Sequence, residues 1–140
     1  MITGKNYIGN ELSSIGSDIY KTFDPKLNLE TEWTFYEATK EEINKAVDKA
    51  HEAFQTYKNF SGAKKAEFLE AIAEEIEALG DELIRAYCKE SGLPEGRAVG
   101  ERGRTMGQLR AFVQLLKEGS WVEATIDTPQ PDRQPMAKTD

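Results

Sequence analysis

The residues able to attack, move a proton, bind a metal or hold an anion are few in this 140-residue sequence. There is one thiol, Cys88, and one imidazole, His51. A nucleophilic thiol needs a base or a cation beside it. Cys88 instead lies one helical turn after Ile84 on an apolar stripe, with no histidine near it in sequence, and reads as a small hydrophobe packed inward. His51 follows Ala50 beside another apolar stripe and reads as a surface or helix-boundary histidine rather than a base. One cysteine and one histidine exclude an internal disulfide framework and a cysteine- or histidine-based metal centre. Glu41-Glu42 and Glu74-Glu75 read as first-turn acids or solvated faces, not as an acid–base pair.

A less ordinary set is Gly96, Gly100, Gly103 and Gly107, spaced 4, 3 and 4, which puts all four on one face of a helix. Each interior glycine costs about 0.8–1 kcal/mol relative to alanine, so the set costs on the order of 3–4 kcal/mol. Arg97, Arg102, Arg104 and Arg110 accompany it, and their forks suit carboxylate or phosphate. Two readings stand side by side. Either this is a solvated arginine face on a loosely written helix, or the bare face meets another segment of backbone. It is not a glycine-rich phosphate loop, because the glycines fall within a helix and no strand precedes them.

Three zones of sequence must position these residues. In residues 1–38, Tyr7-Ile8 before Gly9-Asn10, Asp18 to Phe23 before Asp24-Pro25, and Trp33 to Tyr36 read as three short strands. Such pieces make a ribbon or a sheet edge rather than a core. Residues 39–119 read as four helices, at about 40–58, 61–79, 81–91 and 94–118. Thr39 and Glu42 form a capping box for the first. Its stripe is Ile43, Ala46, Val47, Ala50, Phe54 and Tyr57. Ser61 caps the second, which carries Leu69, Ile72, Ala73, Ile76 and Leu79 to Gly80. Asp81 is expected to cap the third, which ends at Gly92. Pro94 opens the fourth, with Ala98, Val99, Leu109, Phe112, Val113 and Leu116, and Gly119 closes it. In residues 120–140, Trp121 to Ile126 alternates like a strand, and Pro129, Pro131 and Pro135 keep the rest of the zone extended. The flanks of the helical zone thus read as strands in want of partners.

Apolar residues make up 39% of the chain and charged residues 31%, a globular balance. The formal charge of −7 disfavours phosphate backbones and anionic membrane surfaces as partners. Nucleic-acid binding through the four arginines is therefore the weakest reading. No apolar run approaches a membrane span, and the first residues lack an apolar signal core, so a cytoplasmic protein is expected.

An ordered set of short motifs resembles the amino-terminal part of the NAD(P)-dependent aldehyde dehydrogenases. It runs through Asn6-Tyr7-Ile8-Gly9, Phe23-Asp24-Pro25, Ala38-Thr39, Glu41-Glu42-Ile43, Ala46 to Phe54, Leu69 to Leu79 and Glu90-Ser91-Gly92-Leu93-Pro94. Glu101-Arg102-Gly103-Arg104-Thr105, Gln108-Leu109-Arg110 and Pro131-Asp132-Arg133-Gln134-Pro135 look most like the branch that oxidises 2-oxoglutarate semialdehyde. In that family a thiolate attacks the aldehyde, hydride passes to the nicotinamide and water hydrolyses the thioester. The resemblance reaches only the family's first quarter. It implies that the catalytic cysteine, general-base glutamate, oxyanion-supporting asparagine and dinucleotide turn all lie further along. Cys88 does not align with the nucleophile.

The resemblance implies a mainly α chain with short amino-terminal strands and an extended carboxy-terminal tail, forming part of an α/β aldehyde dehydrogenase fold. Residues 1–119 would be the amino-terminal part of the dinucleotide-binding domain. Residues 120–140 would lead toward the oligomerisation strands. NAD or NADP would serve the parent enzyme, a homo-oligomer, and would not bind these residues alone. The expected partner is the remainder of that chain, and the 140 residues alone are expected to be inactive. Arg104 would fall where relatives line the substrate tunnel, as the cation for a distal carboxylate, with Thr105 and Gln108 adding hydrogen bonds. The competing reading of Arg104 is a surface pair with Glu101. The competing reading of the whole chain is a self-sufficient helical interaction module that docks through its glycine-faced helix.

Overall fold

The computed structural model describes residues 2–126 and 128–136. Two antiparallel ribbons come first. Strands β1 (Asn6–Ile8) and β2 (Glu11–Ser13) pair with Tyr7 opposite Leu12. Gly9, at φ +63°, supplies the left-handed backbone of their tight turn. Strands β3 (Ile19–Asp24) and β4 (Leu29–Tyr36) form the second ribbon, with an irregularity in register between Lys21 and Phe23. Its turn is held by the Asp24 carboxylate, which accepts hydrogen bonds from the backbone N–H groups of Lys26 (2.9 Å) and Leu27 (3.2 Å). The expectation of three unpartnered strands is corrected here. Among the described residues there are four, and they pair as two separate ribbons, because β2 and the start of β4 lie a hairpin's length from their partners.

Four helices come next: α1 (Lys40–Tyr57), α2 (Gly62–Ala78), α3 (Gly80–Ser91) and α4 (Glu95–Glu118). The capping box of α1 closes in both directions. Thr39 Oγ1 accepts from the Glu42 N–H at 3.2 Å, and Glu42 Oε2 accepts from the Thr39 N–H at 2.9 Å. Ser61 accepts from the Lys64 N–H at 3.2 Å and so caps α2. Asp81 does not cap α3. The helix begins one residue earlier, at Gly80, after Leu79 and without a side-chain cap, so Asp81 is a first-turn acid. Pro94 takes the cap position of α4 rather than its first turn. Gly92 and Gly119 end α3 and α4 in the left-handed conformation.

The core lies where α2 and α4 run antiparallel. Ala66 and Ala73 of α2 and Met106 and Val113 of α4 are buried there. Small residues on α2 let the two backbones approach. A Cβ on Gly62 would stand 2.8 Å from the Leu116 carbonyl oxygen. Helix α3 rests on α4 and on β3, while α1 touches mainly β1. The α1 stripe finds little cover: Ile43, Val47 and Phe54 are all exposed. Phe68 of α2 and Phe112 and Leu115 of α4 are exposed too. The solvent-accessible surface is 10780 Å², whereas a folded monomer of this mass is expected to show about 7300 Å².

The strand expected at Trp121 to Ile126 is absent. Ser120–Val122 form a short 3₁₀ turn, and Glu123 takes a left-handed φ of +53°. A strand needs a hydrogen-bonding edge, and none is offered to this segment among the described residues. Nor is the chain beyond it uniformly extended, since the Arg133 N–H turns back to the Gln130 carbonyl at 3.1 Å. Asp127 and residues 137–140 of the expected tail lie outside the described residues. Among the described residues, no helix is long and apolar enough to cross a membrane.

Candidate functional site

Helix α4 presents two different sides. The inner stripe of Ala98, Met106 and Val113 is buried against α2 and α3. Two arginines fasten this side. Arg102 Nη1 donates to the Gly80 carbonyl at 3.2 Å, tying α4 to the start of α3. Arg110 Nε donates to Glu70 Oε1 at 2.9 Å and its Nη2 to Glu77 Oε2 at 3.4 Å, tying α4 to α2. These hydrogen bonds, Glu70's first and Glu77's second, raise the guanidinium pKa further above its ordinary value.

The outer side carries the glycines. At 100° per residue, Gly96, Gly100, Gly103 and Gly107 cluster roughly opposite the buried stripe. All four are exposed, and a Cβ added at any of them would meet nothing within 4 Å. Among the described residues, no segment occupies this ridge. The amides of Gly100, Gly103 and Gly107 lie in the helix interior, where the helical ladder uses them, so they cannot cradle a pyrophosphate. Nor does a strand lead into α4, which follows Pro94 at the end of a short loop. The glycine ridge is therefore not the phosphate-binding turn of a dinucleotide site.

Arg104 stands beside the ridge, with its side chain 77% exposed. Its Nε donates to Glu101 Oε2 at 3.2 Å. The other oxygen of Glu101 is taken by Arg97, whose Nη2 lies 2.6 Å from Oε1. Gln108 is exposed one turn further along. Thr105 lines a mostly apolar groove of about 320 Å³ with Leu79, Leu83, Tyr87, Ala98 and Glu101. Its hydroxyl donates to the Glu101 carbonyl at 3.0 Å. The structure thus pairs the Arg104 side chain with Glu101, which Arg97 shares and whose backbone carbonyl holds Thr105. Sequence spacing held the signal for this, since Arg97, Glu101 and Arg104 sit at i, i+4 and i+7.

The remaining candidates lie elsewhere. Cys88 is half-buried rather than fully packed away, in a pocket it shares with Ile84, Leu93 and the charged Lys26, Asp81, Arg85 and Glu95. His51 is exposed on α1, with Nε2 3.4 Å from the Gln55 amide nitrogen. Glu74 and Glu75 are exposed, while Glu42 is buried in its cap. Among the described residues no cluster of three histidine, cysteine or acidic side chains could hold a metal ion. The four arginines form no continuous basic face, because three of them pair with carboxylates of this chain.

Residues 13–138 match the model of the aldehyde dehydrogenase family. Among curated proteins, the chain is 40% identical over 140 residues to alpha-ketoglutaric semialdehyde dehydrogenase 2 of Azospirillum brasilense, covering 99% of this chain and 27% of that one. It is 35% identical over 137 residues to the alpha-ketoglutaric semialdehyde dehydrogenase of Acinetobacter baylyi, covering 98% and 26%. Among solved structures, betaine aldehyde dehydrogenase of Staphylococcus aureus, a complex with NAD+, superposes with a TM-score of 0.76 at 22% identity, covering 94% of this chain and 26% of that one. An NAD-dependent benzaldehyde dehydrogenase of Corynebacterium glutamicum gives 0.72 at 17% identity, covering 96% and 28%. At those identities the structural likeness is one of fold. The chain spans about a quarter of the length of the curated relatives it matches.

Proposed function

We propose a function for a chain that belongs to the aldehyde dehydrogenase family: its helices form the outer, amino-terminal part of the dinucleotide-binding domain of an enzyme that oxidises 2-oxoglutarate semialdehyde to 2-oxoglutarate. The observation that carries this reading is the 40% identity, over 99% of the chain, to the Azospirillum semialdehyde dehydrogenase. The open glycine ridge and the excess of accessible surface over that of an ordinary monomer support it. An excess of a few thousand Å² is the scale of an obligate interface.

On this reading the ridge of α4 seats against further polypeptide, and residues 120–140 lead toward the strands through which the enzyme assembles as a homo-oligomer. NAD or NADP, bound elsewhere in the enzyme, supplies the hydride acceptor. The 140 residues contribute a cation instead. Arg104 holds the carboxylate at the far end of the substrate, and Gln108 adds a polar contact beside it. Cys88 does not align with the family's nucleophile and is not paired with His51, which bonds to Gln55 on α1, so on this reading the 140 residues alone do not turn over an aldehyde.

The test is a chimera in which these 140 residues replace the matching segment of the Azospirillum relative. It is expected to be a soluble oligomer that reduces NAD(P) with 2-oxoglutarate semialdehyde and prefers it over an uncharged aldehyde of the same length. A graft that aggregates, or one that shows no such preference, overturns the reading. So does aldehyde turnover by the 140-residue chain alone.

A further inference from the structure

We infer that Glu101 is a positioning residue for Arg104, and that Arg97 offsets its charge, so that the three together form a preset receptor for the substrate's carboxylate. This rests on the assignment of Arg104 to the substrate's carboxylate made above.

The geometry divides Glu101 between two partners. Oε1 takes Arg97 and Oε2 takes Arg104. The Glu101 side chain is 29% exposed, far less than that of Arg104 at 77%. The carboxylate is thus the anchored member, and the guanidinium is the one reaching into solvent. An arginine in solvent otherwise samples many rotamers and loses that freedom on binding. Fixing Arg104 through Nε alone removes much of that loss. It also leaves Nη1 and Nη2 without a hydrogen-bond partner among the described residues. Those two nitrogens form one edge of the fork, and a carboxylate accepts two parallel hydrogen bonds from such an edge.

Charge decides whether Glu101 helps or competes. Alone, it would neutralise Arg104 and repel an incoming carboxylate. With Arg97 on its other oxygen, the triad keeps one net positive charge.

The experiment uses the chimera described above and reads the ratio of KM for 2-oxoglutarate semialdehyde to KM for an uncharged aldehyde of the same length. Alanine is the strongest helix former, so E101A keeps α4 intact. E101A is expected to raise the ratio about tenfold, the effect of releasing one charge-assisted hydrogen bond. E101Q is expected to restore most of the loss, because its amide oxygen still accepts from Nε. R97A is expected to raise the ratio again by leaving Glu101 uncompensated. An unchanged or lowered ratio in E101A, or equal ratios in E101A and E101Q, overturns the inference. An unchanged ratio in R104A overturns instead the assignment of Arg104 on which it rests.

Discussion

Glu42 joins two elements that lie 29 residues apart in the sequence: one oxygen of its buried carboxylate accepts from the Ser13 hydroxyl at 2.5 Å. The same oxygen lies 3.4 Å from the Ile15 N–H, while the second caps α1 through Thr39. The helix start and the first ribbon are thus held by a single charged group. The Ser13 hydroxyl first, and then the Thr39 backbone amide, pull its pKa down from 4.5 to about 2.

A depressed carboxylate pKa sets the direction of the pH dependence. In the acid range the unfolded chain binds the proton more readily than the folded one. The contribution of Glu42 is therefore complete above about pH 5 and is lost as pH falls toward about 2. Urea denaturation at stepped pH is expected to show the midpoint dropping through that window, and E42Q is expected to flatten the drop while lowering stability at neutral pH. An identical acid profile in E42Q would remove Glu42 as its source.

The glycine ridge makes opposite predictions for two contexts. In the 140-residue chain, changing Gly100, Gly103 and Gly107 to alanine adds methyl groups that touch nothing. Stability is expected to rise by about 2–3 kcal/mol from helix propensity. In the chimera the same three alanines are expected to cut activity sharply, because the ridge there meets backbone. Full activity in the triple alanine chimera would leave the ridge solvated in the enzyme as well.

Two valines on α4 separate packing from pattern. Val113 is fully buried against α2, and V113A is expected to cost about 2 kcal/mol. Val99 belongs to the same apolar series in sequence yet is 44% exposed, and V99A is expected to change stability by less than about 0.5 kcal/mol. Thermal melts of the two variants check this, and equal losses would contradict the placement of the α2–α4 core.

Cys88 is half-buried and has no histidine near it in the sequence. C88S in the chimera is expected to preserve kcat for the semialdehyde. Loss of kcat in a well-folded C88S protein would make this thiol the nucleophile after all.

Much of the local structure is legible in the sequence because its causes are local. The capping box at Thr39 and Glu42, the serine cap at Ser61 and the stops at Gly92 and Gly119 each depend on residues within one turn, so they set the helix bounds closely. The spacing of Arg97, Glu101 and Arg104 on one helix is legible for the same reason. Long-range pairing is not. Nothing adjacent to Glu42 announces Ser13, and nothing in the alternation of Trp121 to Ile126 says whether an edge awaits it.

The sequence by itself determined the number of helices and most of their limits, the start of α3 excepted, the acidic character of the chain and the alignment of four glycines on one helical face. Periodicity and capping energies act over a few residues, so they are read from neighbours in the sequence. Only the tertiary structure decided which faces are covered. It paired β1 with β2 and β3 with β4, seated α4 on α2 through Gly62, Ala66 and Ala73, and left the glycine ridge and the α1 stripe open. Burial is a property of two surfaces meeting, and an apolar stripe specifies only one of them.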